Sequence, residues 1–295
     1  MPSLTIREFT DPACPFAFSG EPARLKLLWL FGDQIEWHPR MVVLSESASD
    51  YDSKGFTPER QAEAMEMIQR RYGMPIDPRR RPRMVATVHA CRAVVAARLH
   101  APEHERALLR RLRIRAMAGD LIDEPAVIAL AAREAGIEPL MVFRAVEDDP
   151  AVEVALQEDM AAARAPSGPA LALDHKLAAT GDIGRRYTCP SYEIERPGGG
   201  GWPRFDVPGF QPVEVYEAAI ANLAPELERR AVPDSVEEVL TWAGEPLATA
   251  EVAAICELSH EEARTELDRI ATVDAVGRDG WWSLPVVAER QPVAA

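Results

Sequence analysis

The sequence carries only three lysines, Lys26, Lys54 and Lys176, among its 33 basic residues. Arginine stays protonated at neutral pH, so there is little here for Schiff-base chemistry or a lysine general base. Long apolar runs are absent too. No stretch reaches the about 18 consecutive apolar residues that a membrane helix needs. The opening Met-Pro-Ser-Leu-Thr-Ile-Arg has no charged segment followed by an apolar run and a small-residue cleavage site. No signal peptide is therefore expected, and the expected compartment is the reducing cytoplasm. Cysteine is scarce: Cys14, Cys91, Cys189 and Cys256, with no repeated spacing. That excludes a secreted disulfide scaffold, and any disulfide is expected to be transient and functional. The net charge of −14 repels phosphate backbones and anionic lipid, so neither nucleic acid nor a membrane is an expected partner. Hydrophobic residues at 47% are enough for a sizeable core.

What is present begins with a strand, a helix and a strand. Leu4 to Thr10 reads as a strand with Leu4, Ile6 and Phe9 as its apolar members, and Asp11-Pro12-Ala13-Cys14-Pro15 breaks it. Helical spacing then runs from Pro15 through Leu25, Leu28, Trp29 and Phe31 until Gly32 stops it. Pro15 suits a first helical turn, where its missing N–H costs nothing. Ile35 to Leu44 reads as the second strand. Cys14 thus falls at a helix N-terminus. Helices are predicted over about 58–72, 84–99, 103–118, 124–135, 139–147 and 150–163, the first capped by Thr57 with Pro58 after it. Gly136-Ile137-Glu138-Pro139 reads as a turn. Tyr187 to Ile194 reads as a loop entering a strand, Gly198 to Gly201 as a turn, Arg204 to Val207 as a paired strand, and Pro212 to Glu228 as a helix. Beyond a linker at Ala231-Val232-Pro233, helices are predicted near 234–242, 249–257 and 260–271, the last with a Ser259/Glu262 capping box. A ribbon turning at Gly277-Arg278-Asp279-Gly280 before Trp281 to Leu284 completes a winged-helix-like pattern.

Asp11-Pro12-x-Cys14-Pro15-Phe16-x-Phe18 after an N-terminal strand resembles the DsbA-like thioredoxin-fold proteins, close to the FrnE-type branch. These are related to kappa-class glutathione transferases and 2-hydroxychromene-2-carboxylate isomerases. Thr188-Cys189-Pro190-Ser191 looks like that fold's cis-proline loop. Tyr72-Gly73-Met74-Pro75-Ile76, Thr87-x-His89-Ala90-x-Arg92 and Ala131-x-x-Glu134-Ala135-Gly136-Ile137 look like the family's helical insertion. The resemblance covers roughly residues 4–229. It implies an α/β protein with a discontinuous thioredoxin-fold domain, 1–50 and 170–230, and an all-helical insertion at 51–169. The unit at 231–295, the winged-helix-like module, lies outside the common pattern. The family's second active-site cysteine would fall at position 17, where this chain has Ala17, so a Cys-x-x-Cys dithiol cycle is excluded.

At a helix N-terminus, unpaired backbone N–H groups and the helix dipole favour a thiolate, which makes Cys14 the candidate nucleophile. The alternative is a cysteine retained as a small buried hydrophobe. The resemblance implies that the residue before the cis-proline lies against the active-site cysteine. Cys189 holds that place, either as a redox partner or simply filling volume, with Pro15, Phe16, Ala17, Thr188 and Pro190 around the pair. Three functions stay open. One is a thiol–disulfide oxidoreductase acting on a protein thiol or small thiol, with no cofactor beyond a co-substrate such as glutathione or mycothiol. Another is a glutathione- or mycothiol-type transferase or isomerase using Cys14. The third is a non-catalytic thioredoxin-fold scaffold that binds a protein partner.

Cys91 and Cys256 fall on apolar helical faces and read as inert core residues. His38 and His89 show no ligand spacing with Cys14, so no metal site is expected. The basic run Arg79-Arg80-Arg81-Pro82-Arg83 reads as a solvated loop, with a carboxylate of a small thiol as its alternative use. On the last helix acids outnumber bases, the wrong sign for phosphate contact. The module is expected to dock instead, on a second copy or a protein partner, with Trp281 and Trp282 as core or interface anchors.

Overall fold

The computed structural model describes residues 2–51, 55–181, 184–197 and 204–285. The turn expected at Gly198 to Gly201 lies outside the described residues. Strand β1 (Leu4–Thr10) pairs in parallel with β2 (Ile35–Met41). A parallel pair needs a crossover. It is made by two helices, α1 (Pro15–Ser19) and α2 (Glu21–Phe31), rather than the single helix expected. The break has a local cause. Pro22 stands in the first turn of α2 and brings no N–H to continue the ladder from α1, while the Gly20 N–H closes α1 onto Phe16 O at 3.0 Å. Strand β2 ends at Met41 instead of Leu44, because Val43 takes φ of 55° and turns the chain away.

The helical segment comprises α3 (Pro58–Tyr72), α4 (Val88–His100), α5 (Glu105–Ala118), α6 (Pro125–Glu134), α7 (Pro139–Asp148) and α8 (Pro150–Ala163). Thr57 caps α3 by accepting from Arg60 N, with Pro58 following it. Helix α4 starts four residues later than expected, since the Ser45 carbonyl accepts the Thr87 and Val88 N–H groups that a helix begun at 84 would have turned onto its own carbonyls. A short helix α9 (Gly168–Leu171) and a hairpin of β3 (Leu177–Thr180) and β4 (Gly184–Tyr187) follow, neither of which the sequence pattern announced. Tyr187 therefore closes a strand, and the loop is only 188–190. The chain re-enters the main sheet as β5 (Ser191–Glu195), antiparallel to β1, and β6 (Arg204–Val207) adds to it, giving the order β2-β1-β5-β6. Helix α10 (Val213–Leu223) stops short of the expected Glu228, where Ala224 leads into Pro225.

The C-terminal segment holds α11 (Val236–Ala243), β7 (Leu247–Ala248), α12 (Thr249–Cys256), α13 (His260–Ile270), β8 (Thr272–Val276) and β9 (Asp279–Ser283), with sheet order β7-β9-β8. The ribbon is longer than expected and its turn tighter, Gly277-Arg278 alone. Gly277 sits at φ of 62°, and a Cβ there would come within 2.0 Å of both Gln69 Nε2 and Ile76 O. The wing therefore docks on the end of α3, and only glycine fits.

One apolar core joins the main sheet and α2 to the terminal helices through Leu27, Trp29, Ile220, Val252, Leu267 and Trp282. Each such side chain taken fully out of water contributes about 1.5–3 kcal/mol. Beside it runs a buried ionic network. Arg113 donates to Glu8 at 2.7 Å and also to Glu21 and Thr10. Arg24 donates to Glu21 at 2.6 Å. Arg110 forks onto Glu251 at 2.7 and 3.0 Å. The neighbouring guanidinium groups hold the Glu8 and Glu21 carboxyls below their ordinary range despite a burial that opposes ionisation. Strand β1, α2, α5 and α12 are tied together just before the chain reaches Cys14.

Candidate active site

Strand β1 delivers the Asp11–Cys14 turn at its C-terminal end, and Asp11 fixes that turn. Its carboxylate accepts from Ala13 N at 2.8 Å, Leu44 N at 2.9 Å and Thr87 Oγ1 at 2.7 Å. The Cys91 thiol points to the same carboxylate at 3.7 Å. Asp11 is fully buried, and its pKa is raised by that burial against the pull of these donors. The bond to Ala13 N is local to the turn, but the other partners come from the exit of β2 and the start of α4, which nothing near Asp11 in the sequence marks.

Cys14 is the N-cap residue of α1 and Pro15 its first helical residue. The Cys14 thiol lies 3.5 Å from the carbonyl oxygen of Cys189, and both cysteines are 6% exposed. The acidity of the two thiols diverges. A hydrogen bond from the Cys189 thiol is the main force lowering the Cys14 pKa; burial opposes it, and the backbone N–H groups of Ala17 and Phe16 assist. Burial pushes the Cys189 thiol well above its ordinary value, and the neighbouring Cys14 sulfur adds to the rise. No disulfide joins them, and all four cysteines are free.

The Cys189–Pro190 peptide bond is cis. The loop holding it is pinned from both sides. Thr188 Oγ1 donates to Lys176 O at 2.9 Å, Ser191 Oγ donates to Thr188 O at 2.6 Å, and Gly209 N donates to Ser191 Oγ at 2.9 Å. Gly20 meets Pro190 so closely that a Cβ would lie 3.3 Å from its Cγ. Ala17 is buried with Cys14, Cys189, Ala163, Ala170 and the stacked rings of Phe9 and Tyr187. Phe16 is the exposed member at 38%, and its ring meets Tyr72 edge-on.

The other residues singled out from sequence lie elsewhere. Cys256 belongs to the sheet core, and burial raises its thiol to about 11. Cys91 is buried as expected, but against Asp11 rather than in a purely apolar setting. His38 pairs with Glu36 on β2, and His89 is exposed on α4. Among the described residues no cluster of three histidines, cysteines or carboxylates could hold a metal ion. No helix among them is long and apolar enough to cross a membrane. The Arg79–Arg83 run is already neutralised: Arg79 pairs with Asp77, Arg80 with Glu59, and Arg83 with Asp123 and Glu124. Arg81 is buried, donating to the carbonyls of Asp77, Ala116 and Met117.

A family model of the DSBA-like thioredoxin domain matches residues 5–167. The chain belongs to that family. Solved structures resemble this DsbA-like chain over most of their own length. A probable DsbA oxidoreductase from Streptomyces coelicolor superposes with a TM-score of 0.54 at 18% identity, covering 78% of this chain and 94% of that one. The cytosolic disulfide reductase DsbM from Pseudomonas aeruginosa gives 0.51 at 15% identity, covering 75% and 98%. These establish a shared fold. No curated protein matches the sequence.

Proposed function

We propose that this DsbA-like chain catalyses thiol–disulfide exchange with Cys14 as nucleophile and Cys189 as its resolving partner. The observation that carries the reading is the apposition of two thiols of opposed acidity, Cys14 lowered and Cys189 raised, with Cys14 Sγ 3.5 Å from the Cys189 carbonyl. The Cys14 thiolate attacks one sulfur of a substrate disulfide. The S–S bond breaks, a mixed disulfide forms on Cys14, and the departing thiolate takes a proton from solvent. Cys189 then loses its proton and attacks Cys14 Sγ. The second substrate thiol leaves, and the protein holds a Cys14–Cys189 disulfide. Two protein thiols are oxidised and one substrate disulfide is reduced to two thiols. Two solution thiols then reduce the Cys14–Cys189 disulfide: the first forms a mixed disulfide and frees one protein thiol, the second displaces it, and the pair leaves as its own disulfide with both cysteines reset. Thr188 and Pro190 form the loop against which substrate lies, and Phe16 gives it an apolar contact.

The proposed setting is the reducing cytoplasm, in keeping with the disulfide reductase activity named for the Pseudomonas relative. The proposed division keeps 1–50 and 170–230 as the thioredoxin domain, 51–169 as the insertion and 231–295 as the added module. A second reading has one specific observation behind it. Burial holds Cys189 protonated, so a small thiol from solution competes to resolve the mixed disulfide, giving monothiol transferase chemistry at Cys14.

The two are separated by counting free thiols after mild oxidation of the wild type, Cys14→Ser and Cys189→Ser. Loss of two thiols in the wild type and none in either variant supports the pair. Oxidation of the wild type without loss of a second thiol leaves only the monothiol reading.

A further inference from the structure

The C-terminal module lies beyond residues 5–167, which match the family model, and yet it packs against the helix that presents Cys14. Helix α1 has five residues, too few to hold a helical shape on their own. Its geometry is therefore set by the packing of its side chains. Phe16 is exposed and Ala17 lies among the thiols, so Phe18 is the apolar side chain that anchors α1 to the wider core. Phe18 is 1% exposed, and its N–H donates to Cys14 O at 3.0 Å. Its ring meets the Trp281 ring edge to face, at 6.1 Å between centres and 67°. Trp281 is held in turn. Strand β9 pairs it with Ala248 on one side and Asp274 on the other, and the Arg110 guanidinium lies 5.5 Å from its ring centre. Arg110 is itself fixed by its fork onto Glu251.

Successive residues of a strand point to opposite faces, and the two tryptophans of β9 divide the module's contacts accordingly. Trp281 joins the core of Phe18 and the helical segment. Trp282 joins the core of the main sheet and donates to Thr249 Oγ1 at 2.8 Å. We infer that Trp281 is a positioning residue for Cys14, acting through Phe18 to fix the turn of α1 that carries the thiol. The Ala17 and Phe16 N–H groups that favour the Cys14 thiolate belong to this turn, so a loosened turn aims them less well. Cys189, Asp11 and Tyr51 interact with Cys14 through hydrogen bonds or charge and lie in other segments. Trp281 is uncharged and reaches the thiol through packing. The inference rests on the redox reading above and gives the C-terminal module a part in it.

The test follows the pH profile of alkylation by iodoacetamide in the full chain, read at Cys14 by mass spectrometry, beside the melting temperature. An aromatic pair is worth about two- to tenfold in an equilibrium constant beyond its burial, and its loss can shift the ionisation of the thiol by no more than that. Trp281→Leu keeps an apolar side chain and removes the ring. It should move the profile to higher pH by about half a unit, which is about a threefold fall in thiolate. Trp281→Phe should keep most of the wild-type profile. Trp282→Phe should lower the melting temperature and leave the profile in place. Phe18→Leu should match Trp281→Leu, and the double variant should shift no further than either, because both remove one contact. Should Trp281→Leu not fold, Phe18→Leu set against Trp282→Phe decides by the same outcomes. Leu variants that keep the wild-type profile, an additive double variant, or an equal shift in Trp282→Phe overturn the inference and leave the redox reading to the thiol counts. If wild-type Cys14 resists alkylation at every pH, the redox reading falls and the inference with it.

Discussion

Replacing Cys189 by alanine separates the two sources of Cys14 acidity. The variant deletes the thiol donor and keeps the Ala17 and Phe16 backbone N–H groups that also favour the thiolate. A hydrogen bond to a charged group contributes about 1.5–3 kcal/mol. A thiol is a weak donor, so the lower figure applies. Since 1.36 kcal/mol is tenfold in a protonation equilibrium, the thiolate fraction at any pH below the wild-type pKa should fall about tenfold. Part of this is hidden in a rate measurement, because a more basic thiolate is more nucleophilic with a Brønsted slope of about 0.4–0.5. Alkylation of Cys14 should therefore slow only about three- to fourfold, whereas the ultraviolet absorbance of the thiolate should show the whole change. The sign follows from the direction of the shift. The wild-type pKa is depressed, so loss of the donor moves the alkylation profile to higher pH. Cys189→Ser, which keeps an O–H donor in place, should move it less. A C189A profile that coincides with the wild type would refute the thiol–thiol hydrogen bond as the cause.

Three further perturbations test the scaffold. Glu251→Gln keeps the cap to Ala248 N but leaves the buried Arg110 without its main counter-charge, and the melting temperature should fall with a loss of about 3–5 kcal/mol; an unchanged melt would show that the C-terminal module is not locked on by this pair. Gly277→Ala drives a methyl into Gln69 and Ile76 at positive φ, so about 2–4 kcal/mol of stability should go, with the wing more open to proteolysis. The Glu21 pKa is depressed by Arg24 and Arg113, so its ionic stabilisation is complete above the ordinary 4.5 and is lost as pH falls through the depressed value. The gap in melting temperature between wild type and Glu21→Gln should be full at neutral pH and narrow only below about that point; a gap that already closes by pH 6 would contradict the assigned direction.

The features legible in the sequence were those written in neighbouring residues. Thr57-Pro58 opens α3, Ser259 and Glu262 cap α13, and the strand before Asp11-Pro12 places Cys14 at a helix start, all through local hydrogen bonds and fixed dihedrals. Pro22 was equally visible, but its effect depends on α1 being only five residues long. What the sequence hid depends on distance along the chain. Asp11 and Thr87 are 76 positions apart, and Glu8 and Arg113 are 105 apart. A buried carboxylate and a surface one look alike until their partners are known. The Arg79–Arg83 run shows the converse: its acids come from positions 59, 77, 123 and 124, so a dense basic sequence became a largely neutral surface. The β3–β4 hairpin went unread because Leu-Ala-Ala-Thr and Gly-Arg-Arg-Tyr carry no apolar alternation.

The absence of a cysteine at position 17 need not be a loss of function, because Ala17 and Cys189 occupy the same buried cluster beside Cys14. On the redox reading, either position could deliver a second sulfur to Cys14, from the helix or from the cis-proline loop. The double variant A17C/C189A tests whether the two are interchangeable. Ala17 is 2% exposed and packs among Ala163 and Ala170, so the added sulfur should cost about 1–3 kcal/mol of stability from overpacking. After mild oxidation C189A alone should keep all its thiols, and the double variant should lose two. A double variant that folds but keeps all its thiols would mean that Cys189 does more than supply sulfur. Its hydrogen bond to Cys14 would then be the indispensable part, since that is the one contribution a thiol on the helix does not restore.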